Sequence, residues 1–193
     1  MKIVTRREWG AAPPKGTPEH VDWPKGVSLW VHHTTGPSDQ TPKEIQAFHQ
    51  GPSRGWNDVG YGYLIREDGT VYEGRGYEVQ AAHSPGVNHQ PSVALIGDYS
   101  TRAPSDAQHR SVYALRALLD AGKLRGHREN TATSCPGDAA MAKIVNGPPP
   151  RPKPAKPPRP PKLTLLERLL AAGFGLASAK KIIAALKRKE KQP

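Results

Sequence analysis

The chain has 193 residues, a formal net charge of +11 and a single cysteine; it can bury one good core with a small appendage, and an internal disulfide is excluded. Residues 1–147 carry 16 Lys and Arg against 15 Asp and Glu, whereas residues 148–193 carry 12 against 2. The basicity therefore belongs to the tail, so any argument for an acidic partner applies there and not to the main body.

The N-terminal MKIVTRREWG has no apolar h-region, so no ordinary signal peptide is expected, and Trp9 is expected in the core. GVSLWVHHT predicts a strand, since Val27, Leu29 and Val31 alternate. TPKEIQAFHQG predicts a helix, with Pro42 early in it after Thr41 and Gly51 closing its end. YGYLIREDGTVYEGR predicts a hairpin turning at Asp68-Gly69. PSVALIGDYS predicts a buried strand. SDAQHRSVYALRALLDAGK predicts a helix capped by Ser105 and apolar at Val112, Leu115, Leu118 and Leu119. Strands alternating with helices predict an α/β domain over residues 1–147, with a mixed central β-sheet flanked by helices.

Nine prolines fall in the fourteen residues from Pro148 to Pro161. Proline fixes φ and removes donors, so residues 148–162 are expected to form an extended linker. Residues 163–193 predict a short basic helical element. Thr164 and Glu167 have capping-box spacing, and Leu165, Leu166, Leu169 and Leu170 follow at helical spacing. Gly173 and Gly175 interrupt, and Ser178 opens a second stretch with Ile182, Ile183 and Leu186 on one face. One bent amphipathic helix and a small hairpin both fit. No run of the chain approaches the roughly 18 apolar residues of a membrane span.

The candidate chemistry centres on GHRENTATSCPGD, which holds His127 and Cys135 eight residues apart. Two such residues can reach one ion from a loop, and a third ligand must come from elsewhere. His32 and His33 end an apolar strand, and adjacent strand residues point to opposite faces, so at most one of them faces the same site. Spacing alone leaves three readings open: a zinc site, a nucleophilic Cys–His pair, and a buried structural cysteine.

Five motifs in order, TRREWGA, WVHHTTG, GWNDVGYGYLIREDGTVYEGR, AAHSPGVNHQPSVALIGDYS and GHRENTATSCPGD, resemble the zinc-dependent N-acetylmuramoyl-L-alanine amidases. That family is shared by phage lysins and peptidoglycan-recognition proteins, and the match runs from about Val4 to Ala142. The resemblance implies one Zn2+ held by His32, His127 and Cys135. It implies Tyr61 as the catalytic tyrosine, and Thr133 at the position where members carry a lysine or threonine that stabilises the transition state. Members that only recognise peptidoglycan commonly lack the cysteine, so its presence favours an enzyme that cleaves the amide between N-acetylmuramic acid and L-alanine. Trp56 and His83 are expected to line the substrate groove. His33 is divided between structure and substrate contact, and Asn88, at a turn or strand edge, completes the candidate substrate contacts. His49 is expected to be a partner of its helix's C-terminal dipole.

The resemblance implies peptidoglycan as partner, and a monomer is expected. The tail is expected to bind anionic envelope polymers or lipid head groups. GFGLASAKKI also resembles, weakly, a helix-hairpin-helix turn, but nucleic acid is not the expected partner. The expected setting is a phage-type endolysin, made in the cytoplasm and acting on the wall after release. The alternatives are a bacterial autolytic or wall-recycling amidase and a non-catalytic recognition protein.

Overall fold

The computed structural model describes residues 1–145, together with 164, 170, 176–177, 180–181 and 183. The chain divides into two units, Met1–Pro150 and Arg151–Pro193. In the second, Leu170, Leu176, Ala177, Lys180, Lys181 and Ile183 are helical. The expected linker, residues 148–162, lies outside the described residues, as does the rest of the expected tail, residues 163–193.

In the first unit the elements run β1 (Ile3–Val4), α1 (Arg6–Trp9), β2 (Leu29–His33), α2 (Pro42–Gln50), β3 (Tyr63–Ile65), β4 (Val71–Glu73), β5 (Ser92–Leu95), α3 (Asp106–Leu118), β6 (Leu124–Gly126) and α4 (Asp138–Val145). The six strands form one mixed sheet in the order β1-β4-β3-β5-β2-β6, parallel throughout except for the β3–β4 hairpin. This is the α/β architecture expected, with the hairpin turning at Asp68-Gly69.

Alternation along the strands builds a core on each face of the sheet. Leu29 and Val31 of β2 and Val93 and Leu95 of β5 pack with Val112 and Leu115 of α3 and with Ala140 and Ile144 of α4. Leu64 of β3 and Ala94 of β5 pack with Ile45 of α2 on the other face. α1, α2 and α3 start where the sequence spells a capping box. Thr41 with Glu44, Ser105 with Gln108 and Thr5 with Glu8 each exchange side chain and backbone reciprocally.

Two expectations need correction. Leu118 is 61 % exposed, not part of the buried stripe. At 100° per residue Val112, Leu115 and Leu119 share a face, and Leu118 falls well off it. Trp9 is only half-buried; it anchors the N-terminal segment by donating from Nε1 to the Glu73 carbonyl at 2.8 Å.

A second anchor is polar. The buried Asp58 carboxylate accepts from Gln46 Nε2 at 2.6 Å and from the Val59 amide at 2.7 Å, and pairs with Arg6 at 2.9 Å. Gln46 in turn exchanges two hydrogen bonds with the backbone of Ala12. The segment before β2 is thereby fixed to α2.

Candidate metal centre

Register and pleat bring the donors together. His32 pairs with Ala94, on the α2 face, and His33 pairs with Leu95, on the α3 face. The two histidines therefore part company, as alternation requires. Gly126 pairs with Val31, so His127, the next residue, comes level with His32. A single 3₁₀ turn, His127–Glu129, then swings the chain away, with the Glu129 carboxylate accepting from the Gly126 amide at 2.7 Å.

Cys135 returns to the same place on a braced loop. The Arg128 amide donates to the Cys135 carbonyl at 3.0 Å, and the Arg128 guanidinium binds the Ser134 carbonyl and Asp138. Two glycines permit this approach. Gly137 has φ +99°, and a side chain there would overlap the Tyr99 carbonyl. At Gly126 a Cβ would overlap the Met141 sulfur and come within 2.9 Å of Pro136 Cδ.

One ligand atom each from His32, His127 and Cys135 lies within 4.8 Å of the others. His32 is 1 % exposed and Cys135 8 %. Around a tetrahedral ion, imidazole and thiolate donors at ~2.1 and ~2.3 Å stand about 3.6 Å apart. Cys135 Sγ and His32 Nδ1 stand 3.8 Å apart. Burial pushes the Cys135 thiol up to about 11, against the opposing pull of the His33 amide and the Arg128 charge. Burial also holds His32 well below its ordinary value, aided by the neighbouring His83 and His127, and lowers His127. Two neutral imidazoles and a thiol, without a nearby carboxylate hydrogen-bonded to any of them among the described residues, are a donor set that a divalent cation completes. The residues present fit zinc.

These donors lie in a cleft of about 470 Å³. Tyr61 lines it, its ring centroid 5.4 Å from that of His32, and burial pushes its phenol up from the ordinary value. Thr133 is exposed in the cleft wall, and its Oγ1 accepts from the Cys135 amide at 3.3 Å. Trp56 lines the cleft and stacks on His49 with centroids 4.7 Å apart.

Of the other expected substrate contacts, His33 and His83 line the cleft with ring nitrogens engaged within the protein, and Asn88 lies outside it. His33 is turned away from the donors, its Nδ1 accepting from the Tyr99 amide at 3.0 Å. His83 reaches the cleft but its ring is engaged with His32, at 3.0 Å. Asn88 does not line the cleft; its side-chain oxygen accepts from the Ser84 amide at 2.8 Å and braces a turn.

His49, Phe48 and Arg54 were not anticipated in the cleft wall. His49 is no free dipole partner: it is buried, and its Nδ1 accepts from the Gly60 amide at 3.2 Å. The available signal was its position four residues after Ile45, on the same inward face of the helix. Arg54 lies over both the Phe48 and Trp56 rings, 5.7 and 5.5 Å from their centroids.

Comparison with known proteins gives this geometry a family. Residues 25–138 match the N-acetylmuramoyl-L-alanine amidase family. Human N-acetylmuramoyl-L-alanine amidase is 37% identical over 155 residues, 71% of this chain and 27% of that protein. The chain thus spans about a quarter of the length of the human and pig amidases it matches. Peptidoglycan-recognition protein LB of Drosophila melanogaster is 36% identical over 163 residues, 76% of this chain and 69% of that protein. The solved structure of wild-type Drosophila PGRP-LB superposes with a TM-score of 0.68 at 34% identity, covering 76% of this chain and 94% of that one. A tyrosine-to-phenylalanine mutant of the same protein, in complex with tracheal cytotoxin, superposes equally well. The chain belongs to the N-acetylmuramoyl-L-alanine amidase family, which includes the peptidoglycan-recognition proteins.

Proposed function

We propose that the protein is a zinc-dependent peptidoglycan hydrolase that cleaves the amide between N-acetylmuramic acid and L-alanine. The observation that carries this reading is the convergence of His32, His127 and Cys135 in a cleft that also holds Tyr61. When bound there, zinc supplies a water of pKa about 7 and a Lewis acid for the scissile carbonyl.

The chain's own residues do the rest. Trp56, stacked on His49 and with the Arg54 guanidinium over its ring, forms part of the cleft wall that meets the substrate. Tyr61, kept protonated by burial, donates a hydrogen bond to the oxygen that becomes negative as the amide is attacked. Thr133 adds a second hydroxyl from the cleft wall, but no positive charge. Tyr61 acts first in orientation and charge stabilisation, since a phenol held above its ordinary value is a poor proton donor to the leaving amine.

The experiment is release of N-terminal alanine from purified cell walls. Release that a chelator abolishes and zinc restores supports the reading. Wall binding with no release by the zinc-loaded protein would instead establish a recognition protein. That second reading draws on relatives named for peptidoglycan recognition and on neighbours solved with tracheal cytotoxin. The finer setting we propose is a phage-type lysin that reaches the wall after release from the cytoplasm. Support for it is the basic tail, whose net charge of +10 suits an anionic envelope polymer or lipid surface.

A further inference from the structure

His83 sits against His32 with no role in the chemistry above. Its Nδ1 is 3.0 Å from His32 Nε2, and its Nε2 is 3.3 Å from the Gln90 carbonyl oxygen. The two rings cross at 72°, and His83 is 6 % exposed. Gln90 is itself fixed: its side-chain oxygen accepts from Trp30 Nε1 at 2.9 Å, and its amide donates to the Val87 carbonyl at 2.9 Å.

These contacts have only one polarity. A carbonyl oxygen accepts and never donates, so the proton of a neutral His83 ring lies on Nε2. Its Nδ1 then presents a lone pair. Towards that lone pair His32 turns Nε2, which must carry the proton for the 3.0 Å contact to be a hydrogen bond. His32 is left with a bare Nδ1, and Nδ1 is the atom 3.8 Å from Cys135 Sγ. A metal-ligating histidine generally donates its remote N–H to a carboxylate, a carbonyl or water. Here the acceptor is a second imidazole, itself backed by a carbonyl. A carboxylate in that place would add negative charge beside a thiolate.

We propose that His83 is a positioning residue for the metal: it fixes the tautomer and ring plane of His32, so that Nδ1 faces the ion. The proposal rests on the zinc reading above. His83 keeps its place in the cleft wall, but both of its ring nitrogens are engaged within the protein.

Two measurements on the full-length protein test it. In the zinc-loaded chain, long-range 15N NMR of the imidazoles should show His32 protonated on Nε2 and coordinated through Nδ1. The opposite tautomer overturns the proposal, and this readout needs no variant. Zinc affinity, measured by competition with a chromophoric chelator, supplies the second. His83→Ala should weaken binding by about 10- to 100-fold, while His83→Asn, whose side-chain oxygen takes the place of Nδ1, should stay within about threefold of the unmodified chain. Unchanged affinity in His83→Ala, or equal loss in both variants, overturns the proposal while leaving the zinc reading intact. Failure of the unmodified chain to bind zinc overturns both.

Discussion

Tyr61 touches His32 on one side and His49 on the other, with ring centroids 5.4 and 5.6 Å away. Tyr61→Phe keeps both ring contacts and removes only the hydroxyl. Its kcat should fall by about 100-fold, the scale of one lost oxyanion donor, with zinc affinity unchanged; an unaltered kcat would remove Tyr61 from the chemistry. His49 tests a different property. Burial, aided by the Arg54 and Arg75 charges, lowers it to about 4. The unfolded chain, near 6.5, then binds the proton that the folded chain refuses, so the contribution is complete above pH 6.5 and is lost as pH falls towards 4. In zinc-free protein, His49→Asn should flatten the decline of unfolding free energy over that window, by up to about 3 kcal/mol. A profile parallel to that of the unmodified chain would contradict this. At this scale strand alternation showed only that one of His32 and His33 could join His127 and Cys135; that it is His32 came from the family resemblance, and the structure brings those three side chains together. The sequence did not show the contact of His83 with His32, nor that Asn88 stands outside the cleft. Their partners, His32 and Ser84, depend on how the loop after β4 folds back, and no periodicity in that loop reports it.

At the scale of elements, the cleft depends on how closely the Cys135 loop approaches the end of β6. Gly126 is where they meet, against Met141 and Pro136. The methionine can swing aside and the proline cannot. Gly126→Ala should therefore cost about 1–3 kcal/mol of stability through overpacking and weaken zinc binding as the loop is pushed off; unchanged denaturation and zinc titrations would show that the approach is not tight. The N-terminal segment has its own test. Asp58→Ala removes the ion-pair partner of the partly buried Arg6 and one acceptor of the buried Gln46, and should lower stability by about 3 kcal/mol in urea unfolding; a loss under about 1 kcal/mol would show that the network is dispensable. β2, β3, β4, β5, α2 and α3 were legible because each combines a clear period with a cap or turn. β1, α1, β6 and α4 were not read: β1 and β6 have two and three residues and no turn signal such as the Asp68-Gly69 that marks the equally short β3 and β4, α1 is a single turn of four residues, and α4 has only eight. They exist because the sheet and the α3-side core supply their partners.

For the whole molecule, charge is spread unevenly along the chain. The first unit carries the cleft; residues 148–193 carry a net charge of +10 in the sequence. Deleting 148–193 should leave hydrolysis of soluble fragments intact, while reducing binding to whole walls or anionic vesicles and flattening its salt dependence, at up to about 1 kcal/mol per basic residue held near the surface. Identical binding and salt response in both forms would exclude the tail from envelope contact. The grouping of His32, His127 and Cys135 in the first unit is tested by metal analysis of the purified full-length chain. After equilibration with micromolar zinc and removal of excess, the protein should retain about one zinc per chain, and Cys135→Ser, folded to the same circular dichroism spectrum, should retain far less. A folded, unmodified chain that holds no zinc, or a serine variant that holds as much, would show that these three side chains are not a zinc site.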